Sequence, residues 1–201
     1  MNRNLNMGKN RLEAFTDGVL AIVITIMVLE LKLPEGDSWA DFIKVTPMFF
    51  GYALSFLFIS IYWLNHHLML NKTERINVRI IWYNMGWLFV LSFIPFTTKW
   101  LGAHPMSPIP VILYFGVMFL AAVMFHIEYY LIAVENGKKD EFKMRAINIL
   151  SLLSYLLATA FGFFSPIAAY IVVAAVTILW MIPQKRHNDN VITKNNKNKN
   201  V

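Results

Sequence analysis

Between Arg11 and Pro34 the chain reads RLEAFTDGVLAIVITIMVLELKLP, an apolar run entered through one ionic cluster and left through another. From Gly18 to Leu29 no side chain is charged, and Thr25 carries the only hydroxyl. Helical rise takes Phe15 to Leu33 across about 28 Å, close to the thickness of a bilayer's hydrocarbon core. Four more runs without Asp, Glu, Lys or Arg follow, over 45–71, 80–98, 100–127 and 146–184. The last is too long for one crossing of about 20 residues. Ser165-Pro166 lies near its middle, and proline both lacks a backbone donor and disfavours helix in the residue before it. The pattern therefore predicts an all-α membrane protein with six spans, at about 15–33, 45–67, 80–99, 109–132, 143–165 and 166–183. A basic tail over 185–201, expected to be disordered, completes the chain.

At about 100° per residue, Ile22, Thr25, Ile26 and Leu29 fall on one stripe of the first helix, and Asp17 lies about 140° away from it. Spacing alone favours an ordinary packing face over the wall of a pore. A carboxylate inside a membrane must find a partner, and it marks a functional or bracing site. The second span ends in YWLNHHLML, with Trp63, Asn65, His66 and His67 clustered near its close. Adjacent histidines point about 100° apart on a helix, so they make a poor metal site. A hydrogen bond from one of them to Asp17 or Thr16 is the simpler expectation. Pro95 reads as the last turn of the third helix. His126 and Glu128 read as side chains that snorkel toward the membrane surface.

Composition agrees with the pattern. Hydrophobic residues make up 57% of the 201 and mean hydropathy is +0.50, well beyond a soluble domain. The net charge of +6 matters through its placement. Fifteen Lys and Arg fall on one side of the six spans and three, Lys32, Lys44 and Lys99, on the other. The positive-inside rule then puts both termini in the cytoplasm. The tail reads as a solvated, orienting segment and not as a nucleic-acid arm. No removable signal peptide is expected. Glu30 and the acidic loop after it read equally as a cation-attracting outer mouth or as a solvated turn.

Without cysteine there is no thiolate nucleophile or thiolate metal site, and no phosphate loop, serine elbow or H-E-x-x-H occurs. An enzyme is not expected, nor a cofactor or bound metal. A proton-coupled carrier using Asp17, His66 and Glu128 is the competing reading. The TVGYG filter of the usual potassium channels is absent.

The pattern R-x-x-x-F-T-D-G at Arg11, Phe15, Thr16 and Asp17 resembles the R-x-x-x-F-S-D signature of the transmembrane protein 175 family, the endolysosomal potassium channels and their shorter bacterial relatives. Trp63, His66 and His67 of W-x-x-H-H and the F-I-P-F of the third span are similar to that family as well. Thr16 departs from the usual serine but keeps the hydroxyl. The resemblance implies a potassium-permeable channel, built as a homotetramer because the chain holds one six-helix repeat. It implies a prokaryotic plasma membrane, and no ligand beyond the lipid bilayer and the permeant potassium ion. By position it makes Ile22, Thr25, Ile26 and Leu29 the pore constriction. Arg11, Phe15, Thr16, Asp17, Trp63, His66, His67 and Asn84 become a hydrogen-bonded brace, with Glu30 at the outer mouth.

Overall fold

The computed structural model describes residues 8–138 and 146–181. The described residues form seven helices: α1 (Lys9–Leu29), α2 (Trp39–Asn71), α3 (Val78–Leu91), α4 (Ile94–Ala103), α5 (Pro108–Glu135), α6 (Ala146–Phe161) and α7 (Pro166–Met181). Four stretches are long and apolar enough to cross a membrane: α1, α2, α3 with α4 taken together, and α5. Shorter apolar helices run over Ile147–Phe161 and Pro166–Leu179, where the fifth and sixth spans are expected. The chain is therefore an all-helical membrane protein. Expected limits at 143–145 and 182–183, and the tail over 185–201, lie outside the described residues.

The third pass is not one helix. α3 stops at Leu91, two residues turn, and α4 restarts at Ile94 with Pro95 in its first turn. Proline is favoured there because that backbone N–H would have no intrahelical partner. Pro95 thus starts a helix running to Ala103 and does not close the third one, which corrects the sequence expectation. Pro47 sits inside α2 and removes the amide that would bond Ile43, but Thr46 Oγ1 donates to the Ile43 carbonyl at 2.7 Å. The helix continues through the gap.

α1 packs on α2, α3 and α4, while α6 and α7 pack on α5 and on each other. α2 and α4 approach closely at Gly102, where a Cβ would lie 2.9 Å from Met48 Cα. The core between these layers is aromatic: Trp87 and Phe125 pack round Tyr62, at centroid separations of 6.0 and 5.0 Å. Burial of such rings outweighs their ordering entropy, and it fixes the frame against which α1 lies.

Candidate functional site

Along α1 the buried residues are Leu12, Thr16, Leu20, Val23 and Met27, spaced four, four, three and four apart. That is one helical stripe, and it faces the chain's own core. The opposite side is open. Phe15 is 50% exposed, Ile22 58%, Ile26 41% and Leu29 81%, and Thr25 is exposed beside them. A face this apolar on a helix already packed along its other side is suited to lipid or to further protein. Thr25 Oγ1 lies 2.9 Å from the Ala21 carbonyl and 3.0 Å from that of Ile22. Its only proton is spent on its own helix, so the oxygen's remaining lone pairs are free to accept from the open face.

The buried stripe of α1 is pinned by polar contacts at one end. Thr16 Oγ1 donates to Asn84 Oδ1 at 3.1 Å, and Asn84 Nδ2 contacts His66 Nε2 at 3.1 Å and donates to Glu128 Oε1 at 3.2 Å. Thr16, His66, Asn84 and Glu128 are all buried. An amide nitrogen only donates, so in this contact His66 Nε2 is the acceptor. Glu128 Oε1 lies 3.6 Å from that nitrogen, beyond hydrogen-bond reach. Trp87 stacks on His66 with ring centroids 5.2 Å apart and closes the cluster on that face. One asparagine thereby ties α1, α2, α3 and α5 together.

Beside this cluster runs a ladder between two antiparallel helices. Trp63 Nε1 donates to Asp17 Oδ1 at 2.8 Å, and one turn away His67 Nδ1 meets Glu13 Oε1 at 2.7 Å. Trp63 and His67 stack at 6.0 Å, as residues four apart on a helix can. Asp17 therefore pairs with Trp63 and with neither histidine, a correction to the expectation. The reason is angular: Trp63 and His67 share the side of α2 that faces Glu13 and Asp17, while His66 points into the core. Arg11 is exposed and makes no side-chain hydrogen bond or ion pair among the described residues. Phe15 lies on the open face and takes no part in the brace.

Glu128 is a second correction. It is fully buried and does not snorkel. Ala121, Phe125, Glu128 and Ile132 are all buried at helical spacing on α5, and that stripe was the signal available in the sequence. A further polar cluster had no such signal. Ser55 Oγ lies 2.7 Å from Thr98 Oγ1 and 2.8 Å from the Tyr114 hydroxyl, joining α2, α4 and α5.

At the far end of α1, Glu30 pairs with Lys99 of α4, and nearby Asp41 pairs with Lys44 at 2.9 Å. Two of the acids read as a cation-attracting mouth are thus countered by lysine. Between α1 and α4 lies a groove of about 490 Å³ whose walls include Ile22, Ile26, Pro95 and Phe96 and whose polar margin is Glu30 and Lys99. Among the described residues no cluster of three His, Asp or Glu stands ready to hold a metal.

Comparison with known proteins adds identity to this geometry. The family model described as endosomal/lysosomal potassium channel TMEM175 matches residues 11–95. A potassium channel from Chryseobacterium sp. (strain P1-3) is 41% identical over 184 residues, covering 90% of this chain and 96% of that protein. One from Chamaesiphon minutus is 30% identical over 125 residues, 58% of this chain and 62% of its own length. The crystal structure of a lysosomal potassium-selective channel TMEM175 homolog from Chamaesiphon minutus superposes with a TM-score of 0.77 at 26% identity. It covers 87% of this chain and 96% of that one.

Proposed function

The chain belongs to the TMEM175 potassium-channel family, and from that premise we propose how it conducts potassium: four copies close a ring in which the open face of α1 lines the ion path. It is a membrane transport protein of the channel class. The observation that carries the pore assignment is the two-sidedness of α1, with one stripe buried in its own chain and Ile22, Ile26 and Leu29 left open. One helix cannot enclose a pore, and cyclic symmetry is the usual way to multiply it. Ile22 and Leu29 form the narrow, dry part, where an aliphatic ring controls passage by dewetting. Thr25 supplies the hydroxyl ring between them. Having both termini inside fits the distribution of lysine and arginine, and the plasma membrane of a prokaryote fits a chain with one six-helix repeat.

Arg11 and Phe15 aside, the motif residues act as a brace. Thr16, Asp17, Trp63, His66, His67 and Asn84 hold α1 at a fixed rotation and do not touch the ion. The carrier reading loses ground, because among the described residues no hydrogen bond joins Asp17 to His66 or Glu128, as a relay would need.

Reconstitution in liposomes with potassium and sodium flux tests the whole reading. Ile22→Ala should raise potassium flux and lower its preference over sodium. Ile24→Ala, half-buried against the core, should lower stability instead. Equal behaviour of the two would remove α1's open face as the ion path. Native mass spectrometry in mild detergent should give four chains, and a clean monomer would overturn the ring.

A further inference from the structure

The Glu30–Lys99 pair belongs to the same concavity as two residues assigned above to the ion path. Ile22 and Ile26 form part of the groove's apolar wall, and Glu30 and Lys99 form its polar margin, one contributed by each of the two helices. Neither partner is buried: their side chains are 37% and 48% exposed, so both charges act on ions in solution. Leu29, the last residue of the open stripe, immediately precedes Glu30. In a fourfold ring, a lysine at this place would be repeated four times around the entrance, the arrangement by which pores select for anions.

Resting on the pore reading, we propose that Glu30 serves potassium conduction by cancelling Lys99, so that the pair sets the electrostatic potential at the outer entrance of the pore. Glu30 is then neither a cation-binding site nor merely a clamp of α1 on α4. Its carboxylate and the Lys99 ammonium leave no net charge at the groove margin. The other charged groups at this end of the helices are Lys32, Glu35, Asp37, and the Asp41–Lys44 pair, which is also neutral in sum. Lys32 against Glu35 and Asp37 leaves one negative charge per chain, enough to favour cations once Lys99 is silenced.

The sign of the response separates an electrostatic role from a mechanical one. Glu30→Gln uncovers Lys99 and should lower inward potassium conductance roughly two- to tenfold at low ionic strength. Lys99→Gln uncovers Glu30 and should raise it by a comparable factor. Both effects should shrink in about 1 M salt, where the Debye length falls to about 3 Å. Glu30→Gln with Lys99→Gln should return conductance near the wild-type value. A clamp would instead make both single variants fall together, independent of salt, and that result overturns the proposal. Where a variant fails to assemble, Lys99→Cys decides the matter, since the chain has no other cysteine. On that variant, folded in a bilayer, a cationic methanethiosulfonate reagent should lower conductance, whereas an anionic one should not. Equal effects of the two reagents overturn the proposal. Wild-type channels without any potassium flux would instead overturn the pore reading beneath it, a separate outcome visible before any variant is made.

Discussion

Asn84→Leu removes the side chain through which four helices meet while keeping nearly the same volume. Three buried groups lose their partner at once: the Thr16 hydroxyl, His66 Nε2 and Glu128 Oε1. A stranded buried polar group costs about 1–3 kcal/mol. Interhelical hydrogen bonds in membranes lie at the lower end, averaging about 0.6 kcal/mol, because a helix separated in lipid finds other partners. Three losses then sum to roughly 2–4 kcal/mol, a large share of a typical total stability of about 5–15 kcal/mol. Thr16→Val alone strands only Asn84 Oδ1 and should cost about 1 kcal/mol. In the Asn84→Leu background, Thr16→Val should cost nothing or restore a little, since its hydroxyl no longer has a partner there. Thermal unfolding of the detergent-solubilised protein, followed by tryptophan fluorescence, gives the four corners of this cycle. Additive costs, within about 0.5 kcal/mol, would refute the claim that Thr16 acts through Asn84.

Trp63→Phe keeps the ring beside His67 but deletes the donor to Asp17, and should lower stability by about 1–2 kcal/mol. Comparison with Trp82→Phe, an exposed site with no such bond, checks that the indole N–H is responsible. Gly102→Ala forces a methyl against the Met48 backbone and should cost about 1–3 kcal/mol in the same unfolding assay. Gly116→Ala, where a Cβ meets nothing within 4 Å, should be close to neutral. Ser55→Ala should destabilise by about 1 kcal/mol through the Thr98 and Tyr114 hydroxyls, and Tyr114→Phe should suppress part of that cost.

What could be read from the chain followed hydropathy and period. The α1 pass and the break at Pro166 declare themselves by hydropathy, because lipid imposes a strong and simple rule on which residues face it, whereas spacing alone reads the Ile22 stripe as a packing face. The R-x-x-x-F-T-D-G motif marked the braced end of α1 but not its pairings. Those depend on helix rotation, which decides that Trp63 and not His66 reaches Asp17. Glu128 reads as a snorkelling side chain because a charged residue near the end of a span suggests water, although its place in the Ala121–Ile132 stripe points inward. Ser55, Thr98 and Tyr114 left no trace in the hydropathy pattern. Each lies within an apolar run, and only their convergence in three dimensions makes them a cluster.

The fastening of α1 has a mechanical consequence. Directional bonds hold it over Glu13–Asp17 and again at Glu30, and between these points its contacts are apolar. It is a beam fixed at one end by several hydrogen bonds and only steadied at the other by an exposed ion pair, so it is compliant to bowing at mid-length. Thr25 sits within that unclamped length, and a threonine hydroxyl bonded back to its own helix's carbonyls is a local source of bend. In the ring proposed above, the least costly deformation of such a beam would move Ile22 and Thr25 toward or away from the axis while its two ends stay still. The width of the proposed pore would then change without breaking a single fastening.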